Sequence, residues 1–183
     1  MLPKEKHVSK DTFINMKEKS EVIDGELVIL DSGASIGHVR ALNVIRKALE
    51  GYIAKNNGSC EVFTESARLF CNDIDRSLNE NYYLPDIMVV CDSNNIDDEG
   101  VHSAPLMVIE ITSPSTRQFD YGQKMVVYEK IGVKEYWIVD LQKKVVTVYK
   151  QLNNFIAETH IHCDKLAVSV YPGLEIDLSS IWE

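Results

Sequence analysis

Two carboxylates interrupt apolar runs in this 183-residue chain. Asp86 follows Pro85 at the head of Ile87-Met88-Val89-Val90, and Glu110 ends the run Leu106-Met107-Val108-Ile109. A carboxylate inside a buried strand is costly unless it is paired, hydrogen-bonded or bound to a metal. Side chains alternate along a strand, so Asp86 shares a face with Met88 and Val90, and Glu110 with Val108 and Thr112. The point halfway between positions 86 and 110 is position 98, in the middle of the polar connection 92–104. A symmetric antiparallel hairpin therefore sets the two carboxylates side by side. Like charges placed opposite each other need a neutralising partner, and carboxylate oxygens suit Mg²⁺ or Mn²⁺.

A third element follows directly. Asp120 and Lys124 stand four apart in a segment with helical spacing, so they share a face. One reading is a simple i,i+4 ion pair, contributing about 0.3–0.5 kcal/mol. The other turns Lys124 back toward the two strand carboxylates, where an ammonium can orient a water or stabilise charge on a phosphate. The spacing alone allows both.

The elements that must hold these residues can be read from periodicity and punctuation. Residues 9–19 form a short helix started by Ser9 or Asp11, and 21–30 a hairpin around Asp24-Gly25. Residues 31–36 read as loop. Val39, Leu42, Ile45, Leu49 and Ile53 mark the apolar face of a helix over 37–54, stopped by Asn56-Asn57-Gly58. Residues 60–70 alternate as an irregular strand, and 72–81 read as a polar loop. Strands are expected over 83–91, 105–111, 134–140, 144–150, 155–162 and 165–170, with a helix over 117–131 that Gly132 ends. The tail, 171–182, reads as loop and a short terminal segment. This is a mixed α/β (α+β) pattern, a central sheet flanked by few helices, in one domain over 1–183 that includes the N-terminal helix and hairpin, 9–30.

Composition is ordinary for a globular chain, at 45% hydrophobic and 26% charged residues, which excludes disordered and collagen-like classes. No apolar run is long enough to span a membrane. The N-terminal stretch MLPKEKHVSKDTF lacks the apolar core of a signal peptide, so secretion is not expected. Cys60, Cys71, Cys91 and Cys163 lie far apart without a C-x-x-C pair, which predicts free thiols in a reducing cytoplasm. Nineteen basic against 28 acidic residues leave a net charge of −9. A protein that coats nucleic acid by charge alone should be basic. A metal pocket would account for part of the acid surplus, since bound cations reverse the local sign. Arg40, Arg46, Lys47, Arg117, Lys130 and Lys134 could supply a basic rim.

The string PDIMVVCD … PLMVIEITSPSTRQFDYGQKMVVYEKIGVKEYWIVD resembles the Uma-two family of endonuclease-like proteins. That family is a domain-of-unknown-function branch of the PD-(D/E)XK, restriction-endonuclease-like superfamily. EVIDGELVIL near the start and YPGLEIDL near the end fit the same pattern, so the likeness covers nearly the whole chain. The resemblance implies a restriction-endonuclease-like mixed sheet and metal-dependent cleavage of nucleic acid, with DNA the expected substrate. It puts Asp86 and Glu110 in the two metal-ligand positions, with Mg²⁺ or Mn²⁺ as cofactor. The superfamily's usual lysine two residues after the second acid is replaced by Thr112, and within this branch Lys124 of the next helix takes its place. Glu26, Asp120 and His38 would support the site. A homodimer is expected by analogy with enzymes that cut both strands.

Two other functions stay open at this stage. Thr112 and the acidic charge also fit a nuclease fold that binds nucleic acid or protein without cutting. Asp86 and Glu110 could instead act as a metal-free acid/base pair. Elsewhere the bland readings hold: His160 and His162 as surface residues, Tyr136-Trp137 as core, Asp92, Asp97, Asp98 and Glu99 as a solvated loop, and Ser113 and Ser115 without the partners a nucleophile needs.

Overall fold

The computed structural model describes residues 7–30 and 33–183. The readings of the first six residues and of positions 31 and 32 lie outside the described residues. Among the described residues, no helix is long and apolar enough to cross a membrane.

The chain starts with α1 (Lys10–Ile14), whose Ser9 side chain caps the Thr12 N–H, and the hairpin β1 (Ser20–Ile23) and β2 (Glu26–Ile29). Asp24 and Gly25 both have positive φ, as a two-residue turn matched to strand twist requires. Then come α2 (Ile36–Lys55), β3 (Glu61–Thr64), β4 (Leu69–Phe70), α3 (Cys71–Ile74), β5 (Tyr82–Tyr83), β6 (Ile87–Val90) and β7 (Met107–Thr112). A helical rod follows: α4 (Arg117–Phe119), a π-helical segment (Asp120–Lys124) and α5 (Met125–Ile131). Gly132, at φ 92°, closes it in the left-handed cap that glycine favours. The chain ends with β8 (Glu135–Asp140), β9 (Val145–Lys150), β10 (Glu158–Ile161), β11 (Lys165–Ala167) and β12 (Glu175–Asp177).

The six-stranded sheet has the order β10-β9-β8-β7-β6-β3. The β7–β8 pair is parallel and bridged by the helical rod, and its neighbours are antiparallel. Alternation splits its side chains between two cores. Ile87, Val89, Met107, Ile109, Ile111, Trp137 and Val139 face α2, which buries Ala41, Ile45, Leu49 and Ile53 against them. Met88, Val90, Val108, Tyr136 and Ile138 face Val127, Tyr128 and Ile131 of α5. Each fully buried aliphatic side chain in these layers contributes about 1.5–3 kcal/mol over leaving it in water. A second sheet, β2-β1-β5-β4, packs with α1 around Val22, Phe13, Phe70 and Tyr82.

Several expected boundaries shift. Residues 60–70 and 83–91 are not single strands: each breaks into two pieces that serve different sheets, β3 with β4 and β6 with β5. A β3–β6 pair and a β4–β5 pair can form together only if both segments bend, and the bends fall at 65–68 and 84–86. The polar stretch 72–81 contains most of α3. Val39 is 43% exposed, so the buried face of α2 starts later than its apolar pattern suggests. The expectation of four free thiols is also corrected. Cys60 and Cys91, one step beyond the Glu61–Val90 pair of β3 and β6, form a disulfide, and only Cys71 and Cys163 are free. Cysteines far apart in sequence were brought opposite each other by strand pairing. Tyr136 and Trp137 are fully buried, as expected of core residues.

Candidate functional site

The β6–β7 register pairs Ile87 with Ile109, and one step outward sets position 86 against 110, the pairing expected from the halfway point at 98. Asp86 sits at the bend before β6. Its Oδ2 accepts the Ile111 N–H at 2.7 Å, and its own N–H donates to Glu110 Oε2 at 3.4 Å. Glu110 has the parity of Val108, so it faces the helical rod rather than α2. There Lys124 Nζ lies 3.0 Å from Glu110 Oε1, and the Tyr128 hydroxyl donates to the same oxygen at 2.7 Å.

Lys124 is the hub of a buried charge cluster. Its Nζ also lies 2.9 Å from Glu21 Oε2 and 3.5 Å from Asp120 Oδ1. Both readings of the Asp120/Lys124 spacing thus coexist: the i,i+4 pair forms, and the lysine reaches the strand carboxylate. The two residues span the π-helical segment, a wide turn that often marks functional positions. The Asp120 carbonyl oxygen accepts the buried Tyr136 hydroxyl at 3.0 Å. Thr112, where the superfamily's lysine would stand, turns toward Thr116, 3.4 Å between hydroxyls.

Burial sets the electrostatics. Glu21, Glu110, Asp120 and Lys124 are all under 5% exposed. Desolvation pushes the Glu110 carboxyl up to about 8. The Lys124 ammonium opposes this, and the Asp120, Asp86 and Glu21 charges reinforce it. For Lys124, burial favours the neutral amine, but the carboxylates of Glu110, Glu21 and Asp120 outweigh it and hold the ammonium well above the ordinary lysine value. Lys124 is therefore a permanent cation rather than a base.

These residues line one end of a cavity of about 520 Å³. Its other wall holds His38 of α2, Glu65 at the end of β3, and Lys19. His38 Nε2 lies 3.3 Å from Asp86 Oδ1 and 3.7 Å from Glu65 Oε2, and Lys19 Nζ lies 3.1 Å from Glu65. The Asp86 carboxylate beside it raises the His38 pKa, against the effect of burial. Ligand atoms of His38, Glu65 and Asp86 all fall within 4.8 Å of one another, close enough to hold a metal ion. Five carboxylates (Glu21, Glu65, Asp86, Glu110, Asp120) face this cavity against two lysines (Lys19, Lys124), so it attracts cations.

Of the residues singled out in the sequence, Asp86, Glu110, Lys124, Asp120 and His38 meet here. Glu26 does not: it pairs with Ile23 at the turn end of the hairpin, whereas Glu21, on β1, enters the cavity. None of the six residues expected to form a basic rim lines it; Arg46, Arg117 and Lys130 instead pair with Glu50, Asp140 and Asp75. Four participants were missed: Glu21, Tyr128, Glu65 and Lys19. Glu21 was visible in principle, since it is an acid entering an apolar strand, as Asp86 is. Tyr128 follows Lys124 by four residues. Glu65 gave no signal, because alternation put it inside a strand that in fact bends there.

Comparison with known proteins agrees with this architecture. The Uma2 family pattern, described as "Putative restriction endonuclease", matches residues 8–179. A curated relative, "Uncharacterized protein slr1290" of Synechocystis sp. (strain ATCC 27184 / PCC 6803 / Kazusa), is 28% identical over 115 residues, 61% of this chain. The aligned region spans 55%, about half, of that relative's length. A crystal structure of "a putative nuclease belonging to DUF820" from Anabaena variabilis ATCC 29413 matches with a TM-score of 0.74 at 21% identity, over 96% of this chain and 97% of that one. At that identity the likeness speaks for the fold. The chain belongs to the Uma2 family and has its restriction-endonuclease-like fold.

Proposed function

We propose that this protein is a divalent-metal-dependent nuclease that hydrolyses phosphodiester bonds in DNA. The observation that carries the reading is Lys124 Nζ, 3.0 Å from Glu110 in the wall of a cavity that Asp86, just before the adjoining strand, also lines. A buried ammonium among carboxylates is expensive to build. It has a use where a negatively charged phosphate must be met.

The donor set fits a divalent ion: carboxylate oxygens of Asp86 and Glu110, with more acids than lysines around them. Once bound, the ion supplies Lewis acidity at the phosphoryl group and lowers the pKa of the attacking water. The chain's own residues do the rest. Tyr128 and the Ile111 N–H fix Glu110 and Asp86 in place. Lys124 stays charged throughout, so it orients the water and stabilises charge growing on the phosphate, without taking a proton. Ser113, Ser115 and Thr116 edge the cavity with hydroxyls suited to phosphate oxygens. In this reading Lys124 would supply the ammonium that the Thr112 position lacks, which supports cleavage over a binding module.

The test is cleavage of plasmid and single-stranded DNA, and of RNA, with MgCl₂ or MnCl₂. Cutting that disappears in Glu110→Ala and with chelator supports the reading. Cutting unaffected by either, or none with any ion, refutes it.

A further inference from the structure

The cavity presents a second group of donors beyond Asp86 and Glu110. Glu110 Oε1 is already taken by Lys124 and Tyr128, and Asp86 Oδ2 by the Ile111 amide. What remains turned to the opposite wall is Asp86 Oδ1, facing His38 Nε2 and Glu65 Oε2, the latter also 3.1 Å from Lys19 Nζ. The His38 Nε2 atom is sealed from solvent and, despite its 3.3 Å approach to Asp86, makes no well-formed hydrogen bond. A buried imidazole nitrogen facing two carboxylates without a proper partner is costly, and its presence calls for an occupant. Adjacent ligands of an octahedral ion at about 2.1–2.2 Å stand about 3 Å apart. The 3.3 and 3.7 Å edges from His38 approach that spacing, and all three ligand atoms lie within 4.8 Å of one another. Ser35 caps α2 by accepting the His38 N–H at 3.1 Å, which anchors the first helical turn and holds the imidazole in the cavity wall.

We infer that His38 Nε2, Glu65 and Asp86 directly ligate one divalent ion and that the imidazole makes this a transition-metal site, preferring Mn²⁺ to Mg²⁺. This rests on the nuclease reading for its purpose, but not for its chemistry. Mg²⁺ seeks an all-oxygen shell and gives up water reluctantly, whereas first-row transition ions accept imidazole with carboxylates. Lys19 at 3.1 Å from Glu65 leaves a surplus of one negative charge across Glu65, Asp86 and Lys19, which a cation satisfies.

Pulsed electron paramagnetic resonance of the full chain with MnCl₂ reads the ligands without reference to activity. Nitrogen-14 coupling on bound Mn²⁺ is expected in wild type and in His102→Ala, and is lost in His38→Ala. Calorimetric titrations should show Mn²⁺ binding more tightly than Mg²⁺, because Mg²⁺ prefers an all-oxygen shell and transition ions accept imidazole. That preference should largely vanish in His38→Ala, and Glu65→Gln should weaken both ions. Circular dichroism checks that each variant folds. Bound Mn²⁺ without nitrogen coupling, a preference unchanged by His38→Ala, or no Mn²⁺ binding overturns the assignment. Nitrogen-coupled Mn²⁺ on a protein that cuts no nucleic acid keeps this site and removes the nuclease reading. Cleavage supported equally by Mg²⁺, with uncoupled Mn²⁺, does the reverse.

Discussion

Two regions of the molecule join a histidine to several carboxylates and a lysine. In the cavity, His38, Glu65 and Asp86 adjoin Lys124 with its three buried acids. On the surface, His102 lies 2.6 Å from Asp73 and 3.1 Å from Asp97, and Lys10 reaches Asp73 at 2.8 Å and Glu99 at 3.5 Å. The residue types are nearly the same, yet the carboxyls respond in opposite directions. Partial burial works against ionisation of Asp73, but hydrogen bonds from Lys10 and His102 overcome it and hold its pKa below the usual range. Glu110, sealed in among other acids, is driven up to about 8 despite its lysine. The surface cluster lies open to water, which screens its charges, and it staples α1 and α3 to the connection over 92–104. The cavity cluster is left short of positive charge by its burial, and that shortage is what a bound cation would relieve.

The largest difference between the two should come from removing their lysines. Lys124→Met removes the cation shared by Glu21, Asp120 and Glu110 and should cost about 3–5 kcal/mol in urea unfolding, with cleavage reduced about 10²–10³-fold. A loss under 1 kcal/mol would mean that the cavity cluster behaves like a surface one.

The pH dependence should separate them next. Glu110 is raised from its ordinary 4.5 to about 8, so the folded state keeps a proton the unfolded state has lost. Its contribution to stability is complete below about pH 4.5 and is lost as pH rises through about 8. With chelator present, stability should fall across that window by up to about 1.4 kcal/mol per pH unit. Glu110→Gln should flatten that slope, as urea midpoints at several pH values would show. An unchanged slope would assign the proton elsewhere.

Tyr128→Phe should cost about 1.5 kcal/mol, the scale of a buried hydrogen bond to a carboxyl group, and slow cleavage by loosening Glu110. Thermal unfolding and kcat together check this. Smallest of all, Lys10→Ala on the surface should change stability by less than about 1 kcal/mol and lose that effect in high salt. A large, salt-insensitive loss there would erase the contrast.

Much of the site could be read from local rules. The β6–β7 register followed from the symmetry of a polar connection between two apolar runs, because a hairpin with strand-length arms has few ways to pair. The helix over 117–131 and its Gly132 stop followed from spacing and from the left-handed cap that glycine accepts. What failed were the places where a strand changes sheets. The bends at 65–68 and 84–86 answer to pairing partners far away in sequence, and alternation within a segment cannot see those. Glu65 and the Cys60–Cys91 disulfide were hidden for the same reason, and so was the entry of Glu21, rather than Glu26, into the cavity, which depends on the sheet the hairpin joins.

The sequence by itself determined the pair Asp86 and Glu110, their register, and the helical face that carries Asp120 and Lys124, since each rests on alternation or periodicity over a few residues. Only the tertiary structure decided that Lys124 meets Glu21 as well as Glu110, that His38 and Glu65 close the far wall, and that burial pushes the Glu110 carboxyl upward. Those outcomes depend on which surfaces are sealed from water. Burial is a property of layers packed together, with no trace in any one segment.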